Sequence, residues 1–92
     1  MDSEELKLRT KRFAIEVIKF VQDLPKSEEI KIIKGQLVRA ATSVAANYRA
    51  ACRSRSKNEF YSKICIVVEE SDESLFWLEV LEESKLAEGE ML

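Results

Sequence analysis

Apolar residues recur along the chain at intervals of three and four residues, the spacing that lines up side chains on one face of an α-helix. A first line of this kind consists of Leu6, Thr10, Phe13, Val17, Phe20 and Leu24. A second line consists of Leu37, Ala41, Val44, Tyr48 and Ala51. Both alternate steps of four and three, as the seams of coiled coils do. The pattern therefore predicts two long helices, one after the other.

A third periodic stretch carries two such lines side by side. The first consists of Phe60, Ile64, Val67, Ser71, Ser74, Leu78 and Leu81. The second consists of Tyr61, Cys65, Val68, Asp72 and Leu75. Near the end of this helix, the segment "LFWLEVL", residues 75–81, is apolar at six of its seven positions. Three helices cannot bury every side of one of them, so a fourth helix or another subunit is expected to cover Phe76, Trp77 and Val80.

Residues that start and stop helices predict the boundaries. The predicted helices cover about residues 4–24, 27–53 and 57–83. Asp2 or Ser3 can cap the first helix, and Pro25 ends it because proline disfavours helical geometry in the residue before it. Ser56 and Glu59 form the capping box that opens the third helix. Helices joined by such short connections run antiparallel, so the fold class is an all-α, antiparallel up-and-down bundle.

Composition agrees with a single small helical domain. The 92 residues include two glycines and one proline, and 46% are hydrophobic while 35% are charged. No apolar run approaches the roughly 18 residues of a membrane span, and the N-terminus has no apolar signal segment, so a cytoplasmic protein is expected. Cys52 and Cys65 are expected to be reduced. With no histidine, a zinc site has no ligand set, and no cofactor is expected.

The second helix contains small and polar residues whose expected role is structural. Gly35 indicates a bend or a close helix contact. The hydroxyls of Thr42 and Ser43 are expected to bond back to the carbonyl four residues earlier. Asn47 is expected to fix the register of the bundle as a polar residue on a seam, with ligand contact as the alternative.

Several stretches resemble a known bacterial family. They are "LKLRTKRFAIEVIKFVQDLP", "QLVRAATSVAANYRAACRSRSKNEFYSKI" and "VVEESDESLFWLEVL". The sequence is similar to that of the four-helix-bundle proteins encoded in intervening sequences of the 23S ribosomal RNA gene, over roughly residues 6–83. The family usually has a glutamate shortly after the asparagine, where this chain has Ala50.

The resemblance implies an antiparallel four-helix bundle that assembles as a homopentamer. A related protein, the accessory variability determinant of diversity-generating retroelements, binds nucleic acid and a reverse transcriptase, so RNA, DNA or such a protein partner is implied for this chain. The family has a fourth helix after the tryptophan-containing one, and this sequence ends before it. The last helix is therefore expected to be absent or truncated.

Charge is distributed unevenly. Residues 31–63 carry eight Lys and Arg against one acid, whereas residues 64–92 carry one Lys against nine acids. Antiparallel helices would collect cations at one end of the bundle, where a phosphate backbone could bind. The expected contacts are Arg49, Arg53, Arg55 and Lys57, with Arg9 and Arg12 in support. The alternatives are a solvated basic face and cations that favour a helix dipole. The aromatic rings of Tyr48, Phe60 and Tyr61 are expected to pack in the core.

Enzyme activity is not expected. There is no histidine to act as a base near neutral pH, and Cys52 has no such partner to activate it. The acids Glu69, Glu70, Asp72 and Glu73 lack the histidines of metal sites in bundles and are expected to be solvated or paired with a neighbouring helix. The sequence thus favours a non-enzymatic oligomeric scaffold that binds RNA or DNA. The alternatives are a module that docks a protein partner around Trp77, or a protein with no ligand.

Overall fold

Three helices account for almost all of the structure, a computed structural model that describes residues 2–86. They are α1 (Ser3–Gln22), α2 (Glu28–Cys52) and α3 (Lys57–Ser84). Every boundary lies within two residues of its prediction, and the all-α class is confirmed. Glu88 and Glu90, which add to the acidic charge of the sequence, lie outside the described residues.

Each helix begins at a side chain that accepts a hydrogen bond from a free backbone N–H, as a good N-cap does. Asp2 Oδ1 accepts from the Glu5 N–H at 2.8 Å. Ser27 Oγ accepts from the Ile30 N–H at 3.1 Å. Ser56 Oγ accepts from the Glu59 N–H at 3.0 Å. The helix starts are therefore encoded locally.

The central helix is α2, which packs against α1 on one side and α3 on the other. Over the described residues, no Cα atom of α1 lies within 8 Å of a Cα atom of α3. The main core cluster consists of Val17, Val21, Leu24, Ile30, Ile33, Leu37, Ala41 and Leu81. It joins the end of α1, the start of α2 and the end of α3, which is the pairing of antiparallel neighbours.

Small residues let α2 approach its neighbours closely. Ala40 and Ala41 are fully buried, and Ser74 of α3 is 1% exposed. The Ser74 hydroxyl donates to the Glu70 carbonyl at 2.8 Å, so its burial leaves no unpaired polar group. Gly35 has a different position, because a Cβ atom added there would meet nothing within 4 Å. The expected close helix contact at Gly35 is therefore wrong.

The third helix is the least buried. Only Ser74 and Leu81 of its residues are buried. Phe60 is 44% exposed and Tyr61 is 70% exposed, so the prediction of core packing is wrong for both within this chain. It is correct for Tyr48, which is 8% exposed. One chain thus leaves much apolar surface of α3 open to another molecule.

Candidate nucleic-acid interface

Four of the six predicted cations lie at the junction of α2 and α3. Arg49 is in the last turn of α2, Arg53 is its C-cap, and Lys57 is the first residue of α3. Arg55 lies between them, and all four side chains are exposed. Among the described residues, none of the four has a carboxylate oxygen within 4.0 Å.

The connection that carries these cations is held by hydrogen bonds. The Ser54 N–H donates to the Ala51 carbonyl at 3.1 Å. The Ser54 hydroxyl donates to the same oxygen at 2.7 Å. The Arg53 N–H donates to the Ala50 carbonyl at 3.0 Å. Arg53 and Arg55 are therefore presented by a defined turn rather than by a long loop.

The helix dipole accounts for some of these charges and not for others. Arg49 and Arg53 lie at the C-terminus of α2, where a cation is favoured by about 0.3–1 kcal/mol. Lys57 lies at the N-terminus of α3, where the dipole disfavours a cation. Stabilisation of a helix dipole therefore explains the positions of Arg49 and Arg53, but it does not explain the position of Lys57.

The cations of α1 spread over two sides of the molecule. Lys7 and Lys11 line a groove between α1 and α2 that also reaches Arg49. Arg9 lines a different groove, between α1 and α3. Arg12 is exposed on α1. The predicted basic end therefore exists as several patches and not as one continuous surface.

Acidic residues share this end of the bundle. Lys7 forms an ion pair with Glu4. The charges of Asp2 and Glu4 act on Tyr48, one turn before the end of α2. The cations that the sequence predicts at this end of the bundle therefore share it with the acids at the start of α1. The densest positive group remains Arg53, Arg55 and Lys57.

A family model described as 23S rRNA-intervening sequence protein matches residues 4–92. The chain belongs to this family. The comparison with curated proteins yields no match, and neither does the comparison with solved structures.

The stretch with the clearest resemblance to the 23S rRNA-intervening sequence proteins has local polar contacts. The Thr42 hydroxyl donates to the Val38 carbonyl at 2.8 Å, as predicted. The prediction is wrong for Ser43, whose hydroxyl accepts from Asn47 and does not donate to the Arg39 carbonyl. The Asn47 side-chain amide donates to the Ser43 carbonyl at 3.0 Å and to the Ser43 hydroxyl at 2.9 Å. These bonds of Asn47 stay within α2, so they do not set the register between helices. The polar contact that joins α2 to α3 is instead made by Arg39.

Arg39 makes that interhelical connection. Its Nη1 donates to Glu70 Oε2 at 2.8 Å, and its Nη2 forms an ion pair with Glu73. Gln36 Oε1 accepts from Arg39 Nε at 3.4 Å, and Trp77 Nε1 donates to Glu73 Oε2 at 3.4 Å. The expectation that acids of α3 pair with a neighbouring helix is confirmed for Glu70 and Glu73. The sequence analysis named no partner for these acids, so it missed Arg39.

Tyr48 belongs to the core of this family member and not to a binding surface. Burial raises the pKa of its phenol above the ordinary value, and a hydrogen bond with Cys52 adds to the rise. The negative charges of Asp2 and Glu4 raise that pKa further. Its hydroxyl therefore stays neutral at neutral pH, and its ring is unavailable for stacking on a base.

The predicted apolar surface is partly covered by the chain itself. Trp77 and Val80 pack against the core cluster. Phe76 is 51% exposed and meets the Trp77 ring edge-on, with ring centroids 4.9 Å apart. Of the three residues predicted to need a partner, Phe76 is the one that the chain leaves most open.

Residues 2–86 contain neither a helix suited to a membrane nor a cluster of metal ligands. No helix there is both long and apolar enough to cross a membrane. No three of its Cys, Asp and Glu side chains are grouped so that they could hold a metal ion.

Proposed function

We propose that this protein is a non-enzymatic scaffold that assembles with copies of itself and binds the phosphate backbone of RNA or DNA. The contacts are Arg49, Arg53, Arg55 and Lys57, supported by Arg9 and Arg12. The observation that carries this proposal is the exposure of Arg53, Arg55 and Lys57 on one defined turn, without carboxylate partners among the described residues.

Backbone binding suits this set of side chains. Cations on an exposed turn neutralise phosphates and release counterions, which gives affinity without reading the sequence of the nucleic acid. Lys57 supports this reading most strongly, since its position at the start of α3 costs helix stability. Phe60, one turn further along α3, offers an exposed ring on which an unpaired base could stack.

Self-association is part of the proposal, because one copy carries only a few cations and several copies would present many. The exposed apolar residues of α3 favour a further subunit. The family resemblance implies a pentamer, in which the turn would be repeated around a ring. Repeated weak sites on one nucleic acid raise the overall affinity well above that of a single site.

A second candidate function is a module that docks a protein such as a reverse transcriptase. The half-exposed Phe76 favours it. This ring lies beside Trp77 in a shallow groove that Glu69 and Asp72 also line. A partner with an apolar and basic helix would fit such a surface.

The test measures binding of a fluorescently labelled single-stranded RNA and of a duplex by anisotropy, over a series of salt concentrations. We expect log K to fall linearly with log salt. Changing Arg53, Arg55 and Lys57 together to glutamine should lower the magnitude of that slope by about three and the affinity by about tenfold or more. The base sequence of the RNA should have little effect on the affinity.

The matched control changes Lys26, Lys31 and Lys34 to glutamine. This removes the same charge from the other end of the bundle, so affinity should stay within about twofold if the turn is the site. Equal losses in the two triple variants, or an affinity independent of salt, would contradict the proposal. Binding of a protein partner that Phe76→Ala abolishes, without any RNA binding, would favour the second function.

A further inference from the structure

The outward face of α3 carries a line of apolar residues, spaced for packing against another helix, that remains exposed in one chain. Tyr61, Val68 and Leu75 recur every seven residues and are 70%, 62% and 53% exposed. Cys65 and Asp72 fall between them, so the line alternates steps of four and three. The buried residues of α3, Ser74 and Leu81, lie on the other side, against α2. Such a line is the seam that a coiled coil offers to another helix.

A second surface of the molecule, a groove formed by α1 and α2, is also apolar and open. It lies between α1 and α2, measures about 610 Å³, and is lined by these two helices alone. Its apolar lining consists of Leu8, Ala14, Ile15, Ile18, Ala45 and Ala46. Leu8 and Ile15 are 58% and 42% exposed, so the groove is an open apolar surface. The small side chains of Ala45 and Ala46 leave room for a helix to come close.

Charges at the two surfaces are opposite. Lys11 and Arg49 stand at the edge of the groove, together with Lys7, which is paired with Glu4. Exposed carboxylates Glu69 and Asp72 accompany the line on α3. Lys7 and Lys11 of the groove are thus opposite in sign to the carboxylates of the line, which favours one orientation of approach, whereas Arg49 lies about 11 Å further along the bundle than Glu69.

The two surfaces also lie at the same height along the bundle. Arg39 is level with Glu70 and Glu73, which it contacts. Since antiparallel helices each rise about 1.5 Å per residue, Arg49 is then level with Tyr61 and Thr42 with Val68. A ring of copies with parallel axes keeps all copies at one height, so α3 of one copy can enter the groove of the next without a shift along the axis.

From these matches we infer that the line Tyr61, Cys65, Val68, Asp72 and Leu75 of one copy packs into the α1–α2 groove of the next. The interface is head-to-tail, so it uses two different surfaces of each copy and closes into a ring when the rotation allows. The inference rests on the proposed self-association and names the surfaces that produce it. Arg49 lies at this interface as well as at the proposed nucleic-acid site, whereas Arg55 belongs to the latter alone.

The test uses two exposed β-branched residues, one on each surface. Val68→Glu damages the line on α3, and Ile15→Glu damages the groove. Mass is measured by light scattering after size exclusion, up to high micromolar concentration, and helix content by circular dichroism. We expect a defined oligomer for the wild type and folded monomers for each variant. An equimolar mixture should give a 1:1 dimer, because each variant keeps the one surface that the other lacks.

Ile32→Glu is the control, since Ile32 is 63% exposed and lines neither surface; it should keep the wild-type mass. If Ile15→Glu keeps that mass while Val68→Glu is monomeric, α3 pairs with α3 and the inference is wrong. It is equally wrong if both variants keep the wild-type mass or if the mixture stays monomeric, although the proposed self-association then stands. A monomeric wild type would overturn both.

Discussion

Several polar side chains of α2 form hydrogen bonds within their own helix and not with a neighbouring one. Thr42 and Asn47 direct their hydrogen bonds back along their own helix. Their effect is to satisfy polar groups on a surface that packs against other helices. Gly35, by contrast, has no packing role in this chain, since space for a side chain is open around it.

Gly35→Ala should therefore stabilise the protein. Glycine in a helix costs about 0.5–1 kcal/mol relative to alanine, because the unfolded chain loses more freedom on folding. Urea and thermal unfolding should show that gain, with a rise in Tm of about 4–8 °C per kcal/mol. Gly35→Ser should give a smaller gain, in line with its helix propensity. A loss of stability in Gly35→Ala would mean that a partner occupies this space.

At the scale of elements, the three helices differ in how completely one chain buries them. The central helix α2 is packed from two sides and has eight buried residues, including Leu37, Ala40 and Ala41. In α3 the line that contains Ser74 and Leu81 faces α2, whereas the line that contains Tyr61, Val68 and Leu75 faces outward. Its start depends on the Ser56 cap, since no residue of α3 before Ser74 is buried.

Loss of that cap should be measurable. Ser56→Ala removes the acceptor for the Glu59 N–H, and such changes cost typically about 1 kcal/mol. Hydrogen exchange should show faster opening of the first turn of α3, and urea unfolding a lower midpoint. Ser62→Ala, an exposed change in the second turn of the same helix, is the control and should be neutral or slightly stabilising. Equal effects of the two changes would show that the first turn of α3 does not depend on Ser56.

At the scale of the whole molecule, the core is concentrated where α1 ends and α2 begins. Leu81 is the one residue of α3 in the buried cluster and is fully buried there. The ion pairs of Arg39 add a second connection, but Arg39 is 49% exposed, so they contribute at most about 1 kcal/mol. The attachment of α3 to the rest of the chain therefore depends mainly on Leu81 and its half-buried neighbours.

Leu81→Ala should accordingly destabilise the whole fold. Replacing a fully buried leucine by alanine costs about 2–5 kcal/mol, from lost burial and the cavity that remains. Urea unfolding at several protein concentrations separates this loss from any change in assembly. The comparison is Ile32→Ala, at a 63% exposed position, which should change stability by less than about 0.5 kcal/mol. A small effect at Leu81 would show that α3 is held by other contacts.

The sequence by itself determined where the helices are, because the decisive interactions are local. Ser27 and Ser56 accept bonds from N–H groups three residues ahead. Pro25 ends the region of α1 through its own geometry. The presence of cations near the α2–α3 junction could also be read directly, since they are adjacent along the chain. The family resemblance likewise depended on residues alone.

Only the tertiary structure decided which surfaces of these helices are used. Both lines of α3 have the same spacing, yet Ser74 of the first line is 1% exposed while Val68 of the second is 62% exposed, a difference that the spacing does not predict. The pairing of Arg39 with Glu70 and Glu73 joins residues that are 31 and 34 positions apart, so no local rule could find it. Among the cations of α1, Lys7 and Lys11 line the groove against α2, whereas Arg9 lines another groove that Ser71 of α3 also lines. Contacts of this kind depend on the relative placement of whole helices, which local spacing does not specify.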